Sequence, residues 1–128
     1  MENYPDTVKD HREHMWARDD GTVGLTYFGM SGFEGITYVK INDVGTTVEA
    51  GEEMGLAESN KASEPLIAPI SGTIAEINEE AVEDIEPIEE DPYGAGWLAR
   101  IDMSNPSELD SLLSADEYRE LVEGEEDK

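Results

Sequence analysis

The chain has 128 residues, with 32 Asp and Glu against 8 Lys and Arg, no cysteine and a formal net charge of −24. Like charge meets any phosphate backbone or anionic head group that approaches, which argues against nucleic acid and membrane surfaces as partners. Without cysteine the polypeptide has no disulfide framework, thiolate metal site or sulfur nucleophile of its own, so any thiol chemistry must come from an attached group.

The length suits one domain. Residues 1–16 are polar and lack the apolar stretch of a secretory signal, and no apolar run approaches the length of a membrane span, so the cytoplasm is the expected compartment. His11 and His14, with Asp10 and Glu13 near them, have His-x-x-His spacing. On a polar, frayed N-terminal segment two such ligands read as solvated side chains, and no metal site is expected. From Thr22 to Ile101 the chain reads as short extended segments punctuated by glycine. Strands are predicted at Val23 to Tyr27, Ile36 to Ile41, Met54 to Ala57, Leu66 to Ala68, Gly72 to Ile77 and Trp97 to Ile101. Asn42-Asp43-Val44-Gly45 and Ser71-Gly72 supply turns between them. Phe28 to Glu34 reads as an irregular turn or short helix, and its glycines, with Gly35, as turn glycines and not a phosphate loop. Glu79 to Glu90, with Val82, Ile85 and Ile88 as its apolar anchors, reads as an acidic loop with at most one helical turn. Trp16, Trp97, Tyr38 and Phe33 read as core, and acidic runs such as Glu89-Glu90-Asp91 as solvated faces.

The C-terminal stretch changes to helix. Asn105, Pro106 and Glu108 stand as N-cap, first and third positions of a helix through Leu109, Leu112 and Leu113. Ser114 and Glu117 form a second start, a capping box before Tyr118, Leu121 and Val122, and Gly124 is the expected end.

The segment from Gly55 to Gly72 carries the most information. It reads as strand, polar tip, strand, with Lys61 at the tip. The chain has four lysines, Lys9, Lys40, Lys61 and Lys128, and Lys61 alone sits between two apolar segments on an apparent hairpin turn. An amine held out on a rigid turn is what a modifying ligase needs to reach and what a swinging group needs as a tether. Glu58-Ser59-x-Lys61-Ala62 followed by Pro69-x-Ser71-Gly72 resembles the lipoyl-lysine hairpin of the glycine cleavage system H-protein family. Gly24-Leu25-Thr26, Ile36-Thr37-Tyr38-Val39, Val48-x-Ala50-Gly51-Glu52, Asn78 and Asp91-Pro92-Tyr93-Gly94-x-Gly96-Trp97-Leu98 follow in family order, and Ser107 to Tyr118 matches the family's C-terminal helices.

The resemblance implies a mainly β, hammerhead-like lipoyl- and biotinyl-carrier fold of two packed antiparallel sheets with C-terminal helices. It implies one lipoyl-carrier domain over residues 1–128, with the β core at about 14–102 and helices at about 105–123. It implies a non-catalytic carrier with lipoic acid covalently on Lys61, flanked by the site residues Glu58, Ser59 and Ala62. Implied partners are lipoate ligase or lipoyl-assembly enzymes, the multienzyme system served, and dihydrolipoamide dehydrogenase. Departures from the family fall where cargo is expected to sit. His14-Met15-Trp16 stands for His-Glu-Trp, and Ala62-Ser63-Glu64-Pro65 for Ala-x-Ser-Asp. Asn60, Tyr27 and Glu34-Gly35 also differ. An aminomethyl cargo needs a carboxylate or acceptor nearby, and Met15 and Pro65 offer neither. The expectation is therefore the relatives of H proteins that bind lipoate in heterodisulfide-reductase-like sulfur oxidation. The alternative is a true H protein working with the glycine cleavage enzymes.

Self-repulsion of so many carboxylates weakens as salt screens it, as in a salt-adapted protein. The melting temperature is expected to rise from low to molar salt, and thermal unfolding followed by circular dichroism checks this.

Overall fold

A computed structural model describes residues 9–10, 14–26, 36–59 and 63–126. Among these residues nine strands form two sheets in which every strand pair is antiparallel. They are β1 (Lys9–Asp10), β2 (Met15–Ala17), β3 (Thr22–Leu25), β4 (Ile36–Ile41), β5 (Thr47–Val48), β6 (Glu53–Ser59), β7 (Ser63–Ile67), β8 (Gly72–Ile77) and β9 (Ala99–Met103). The larger sheet runs β1-β2-β3-β9-β8-β5 and the smaller β4-β6-β7. One apolar cluster draws on both sheets, with Ala17, Val23, Ile74 and Ile101 from the larger and Val39, Ile41, Met54, Ala57 and Leu66 from the smaller. This is the mainly β, two-sheet architecture that the sequence implies.

The predicted strands at Ile36 to Ile41 and Gly72 to Ile77 occur with those bounds, and the other four occur with shifted ends. The sequence reading misses β1, β2 and β5, which are two or three residues long and too short to show alternation. Trp16 explains why so short a strand as β2 is stable. It is fully buried, its Nε1–H donates to the Pro92 carbonyl at 3.0 Å, and its ring lies opposite Gly24 on β3. A Cβ at Gly24 would come within 2.6 Å of the indole, so only glycine leaves room for that ring.

Glu79 to Glu90 is more ordered than expected. It forms two short helices, α1 (Glu79–Glu83) and α2 (Glu86–Glu90), which bury Ala81 and Ile88. Three anchors across twelve residues are too sparse a pattern for a helical period, and tertiary burial decides the matter. Glu89, though exposed, is more than a solvated face, since its Oε2 accepts the Ile36 N–H at 3.1 Å.

The first C-terminal helix is a 3-10 helix, Pro106–Ser111, and stops short of Leu112 and Leu113. Asn105 makes no capping bond to it. Glu108 reaches away to Ser71, accepting from its N–H at 2.7 Å and its hydroxyl at 2.8 Å, while the Ser71 Oγ accepts from the Ala50 N–H. Leu113 is taken by β1, with Leu113 N–H to Asp10 O at 2.8 Å and Asp10 N–H to Leu113 O at 2.9 Å. The Ser114–Glu117 capping box forms as expected, at 2.9 and 3.2 Å, and opens α3 (Ala115–Glu126). That helix runs through Gly124 instead of ending there. Ala115, Tyr118 and Val122 share its buried face.

At Asp10 the bridge to Leu113 replaces the expected solvated side chain with a buried one. Asp10 is 0% exposed, neither of its carboxylate oxygens has a hydrogen-bond partner, and burial pushes its carboxyl from the usual 3.8 up to about 7. Between about pH 4 and 7 the native state keeps a proton that the unfolded chain releases. Stability therefore falls as pH rises through that window, by on the order of 4 kcal/mol once both states are ionised.

Two predictions follow from these contacts. Asp10→Asn melts close to the parent at pH 4 and roughly 10–20 °C above it at pH 8, as differential scanning calorimetry across the range would register; parallel pH profiles would contradict the assignment. Glu108→Ala removes both bonds to Ser71 and is expected to cost about 1–3 kcal/mol in urea unfolding, with an unchanged m-value.

Candidate functional site

β6 is the central strand of the smaller sheet, so its backbone is paired on both edges. Ala57 lies opposite Val39 on one side and Glu64 on the other, and Glu58 opposite Tyr38 and Ser63. The Thr37 hydroxyl donates to the Glu58 carbonyl at 3.2 Å, adding a side-chain tie near the strand's end. Met54, Ala57 and Leu66 are buried and seat the hairpin in the core, whereas Ser63, Glu64 and Pro65 at the start of β7 are exposed. A proline is tolerated at 65 because β7 is an edge strand and need donate on one side only. The result is a hairpin rigid at its base and open to solvent along the outgoing strand.

Of the site residues named from the sequence, Glu58 and Ser59 are the half-buried last residues of β6. Residues 60–62, which join β6 to β7 in sequence and include Lys61 and Ala62, lie outside the described residues, as do Tyr27, Phe28 to Gly35 and His11. The hairpin fits a covalently attached arm on chemical grounds. Its strands are fixed by pairing and core burial, and the connecting segment holds a lysine whose amine forms an amide with a carboxylic acid.

The structure corrects the placement of Met15. Its side chain is 1% exposed, part of the apolar cluster that also holds Ala57 and Leu66, and not in an open cleft. Pro65 is exposed on β7. His14 is half-buried rather than solvated. Its Nδ1 lies 2.7 Å from the Tyr118 hydroxyl, which also meets Thr26 Oγ1 at 2.6 Å. Nothing in the sequence signals this chain of polar contacts, since Tyr118 reads as one more apolar helix position. Among the described residues no three His, Asp or Glu side chains converge to hold a metal ion. Tyr38, expected in the core, is 46% exposed, because on β4 it flanks a hollow of about 550 Å³ against α1.

Two family-like motifs have structural jobs that the sequence does not spell out. Asn78 donates both amide hydrogens, to the Ala95 carbonyl at 2.9 Å and the Trp97 carbonyl at 2.8 Å. In Asp91 to Trp97, the Asp91 carbonyl accepts from Gly94 and Gly96 while its Oδ2 accepts from Ala95. The next two carbonyls accept from β2 and the residue after it, Pro92 from Trp16 and Tyr93 from Arg18. The Arg18 guanidinium also stacks 4.9 Å above the Trp16 ring.

Comparison with known proteins agrees with this arrangement. The family model described as Glycine cleavage H-protein matches residues 8–125. The glycine cleavage system H protein of Carboxydothermus hydrogenoformans is 40% identical over 128 residues, covering 98% of each chain. That of Gloeothece citriformis is 44% identical over 126 residues, covering 95% of this chain and 96% of the other. The crystal structure of a glycine cleavage system H protein from Mycobacterium marinum superposes with a TM-score of 0.84 at 37% identity, covering 93% of this chain and 98% of that one. No helix among the described residues is long and apolar enough to cross a membrane. Matched by the family model over residues 8–125 and similar to these proteins over nearly its whole length in sequence and fold, the chain belongs to the glycine cleavage H-protein family, whose members are non-catalytic subunits carrying lipoate covalently on a lysine.

Proposed function

We propose that this chain is the lipoyl carrier of a glycine cleavage system, acting in the cytoplasm as one domain, and that Lys61 is the lysine that bears lipoate. Similarity over nearly the full length to proteins named glycine cleavage system H protein carries this reading. The choice of lysine is supported by the fold: Lys9 and Lys40 lie within the paired strands β1 and β4, whereas Lys61 falls in the segment between β6 and β7. Glu58, Ser59 and Ala62 flank it and are the positions a lipoate ligase or lipoyl-assembly enzyme would read.

When attached, lipoate supplies a dithiol–disulfide pair at the end of a long arm. The chain's own residues do the rest. Amide formation removes the ammonium charge of Lys61, so a neutral arm can leave or enter an apolar surface at small electrostatic cost. Strands β4, β6 and β7 fix the point from which the arm swings. The polypeptide contains no cysteine to divert the dithiol into an internal mixed disulfide, so exchange is confined to the arm and its partner enzymes. The net charge of −24 steers the carrier toward basic faces of the glycine cleavage enzymes and favours short-lived encounters.

The sulfur-oxidation reading rests on Met15 and Pro65. Burial of Met15 in the core weakens it, because a side chain inside the apolar cluster is poorly placed to clamp a solvated cargo whatever its chemistry. The names of the relatives favour glycine.

Incubation with lipoate ligase, ATP and lipoate should raise the intact mass by one lipoyl group on Lys61, located by peptide mapping. Lys61→Arg should melt within about 1 °C of the parent, gain no mass and lose all activity with glycine decarboxylase and the other glycine cleavage enzymes. Modification at another lysine would overturn the site; a lipoylated protein inert toward glycine decarboxylase would overturn the pathway.

A further inference from the structure

Each sheet has two edges, and among the described residues three of the four give an added strand little to pair with. β1 and β5, at the ends of the larger sheet, are two residues long, and β1 is bridged to Leu113. β4 edges the smaller sheet, but the Ile36 N–H is held by Glu89, and Val39 and Ile41 are only 1% and 4% exposed. β7 is the remaining edge, and alternation along the ladder fixes which of its backbone groups look outward. The Asn42 N–H donates to the Met54 carbonyl, so Met54 turns its backbone toward β4, and at period two Leu56 and Glu58 turn with it. Gly55 and Ala57 then bond toward β7, to Leu66 and Glu64, and Ala68 N–H likewise bonds inward to Glu52. Ser63, Pro65 and Ile67 therefore face away from the sheet. Ser63 and Pro65 are exposed and Ile67 is half-buried. Among the described residues nothing bonds to the outward backbone groups of these three.

Pro65 has no N–H, so the strip offers donors at Ser63 and Ile67 and carbonyls at 63, 65 and 67. A proline at mid-strand blunts pairing between two copies of the chain, yet leaves groups at both ends for a strand of the right register. The place of the strip in the chain names its occupant. Ser63 follows Lys61 by two residues. An enzyme that acylates the lysine must bring the amine itself into its active site, and the nearest fixed backbone beyond it is β7. The enzymes that use the finished arm meet a dithiol at its far end and need no grip on the strand beside the tether.

We propose that the open edge of β7 is the recognition strip for the enzyme that attaches lipoate, which lays an extended segment of its own along Ser63–Ile67 as a fourth strand of the smaller sheet. The exposed carboxylate of Glu64 favours a basic residue on that segment. Main-chain pairing sets the register of the lysine against the active site, and the missing donor at Pro65 helps to select that register. This inference rests on Lys61 as the modified lysine.

The test uses the unmodified full-length chain and a lipoate ligase. Amide hydrogen exchange, followed by NMR with excess ligase loaded with a non-transferable lipoyl-adenylate analogue, should slow at Ser63 and Ile67 and stay as it was at Glu64 and Leu66, whose amides already bond to β6. This measurement needs no variant. Ser63→Pro and Ile67→Pro each remove one outward N–H and should raise the KM of the ligase for the carrier about three- to tenfold with kcat unchanged. Ser63→Ala keeps the N–H and should raise KM by less than half as much. Once lipoylated, Ser63→Pro should affect glycine decarboxylase less than it affects the ligase. Equal slowing at all four amides, slowing at none, Ser63→Ala matching Ser63→Pro, or an equal defect with glycine decarboxylase would overturn strand addition while Lys61 is still modified. A parent chain that gains no lipoyl group on Lys61 would instead overturn the choice of lysine on which the inference rests.

Discussion

The presentation of a lysine-bearing segment depends on how the strand before it is held. β6 lies between β4 and β7, so both of its backbone edges are paired, and Met54 and Ala57 bury their side chains in the cluster shared by the two sheets. A two-stranded hairpin alone is marginal in water; a third strand and a packed face give it independent stability. A carrier gains from that rigidity, because an arm that must reach several enzymes in turn needs a fixed origin, and flexibility is then confined to the arm.

Much of what the family resemblance rests on maintains this frame. Trp16, Gly24, Asn78 and the Asp91–Trp97 loop form one clasp, in which the loop carbonyls meet the indole, the Arg18 guanidinium and the Asn78 amide. These are polar groups on a loop that would otherwise lie against the sheet unsatisfied. A likeness at such positions therefore identifies the fold more strongly than it identifies what the arm carries. Met15, beside Trp16 on β2, belongs to the same frame.

The C-terminal segment is tied to the sheets by long-range polar contacts. Glu108 ties the 3-10 helix to Ser71, and Tyr118 ties α3 to Thr26 and His14. Against these satisfied groups, the unpartnered Asp10 carboxylate stands out as a cost in native stability. Surface ion pairs contribute little by comparison; Arg100 and Glu76, 3.1 Å apart, are both well exposed.

By itself the sequence determined the mainly β fold class, six of the nine described strands and the capping box at Ser114 and Glu117. Each of these is written in short-range patterns: β-branched runs between glycine turns, a cap and its partner three residues apart. Only the tertiary structure decided the rest. β1, β2 and β5 are too short to carry a period and are held by contacts distant in sequence: the bridge from Asp10 to Leu113, the bond from Trp16 to Pro92, and the pairing of β5 with β8. Glu108 stands at the capping-box position of its own helix start, yet its carboxylate bonds Ser71, 37 positions away. Asp10 and Met15 look solvent-facing in a polar segment, but burial depends on what packs over a residue, and Leu113 and the two-sheet core are brought there by the fold.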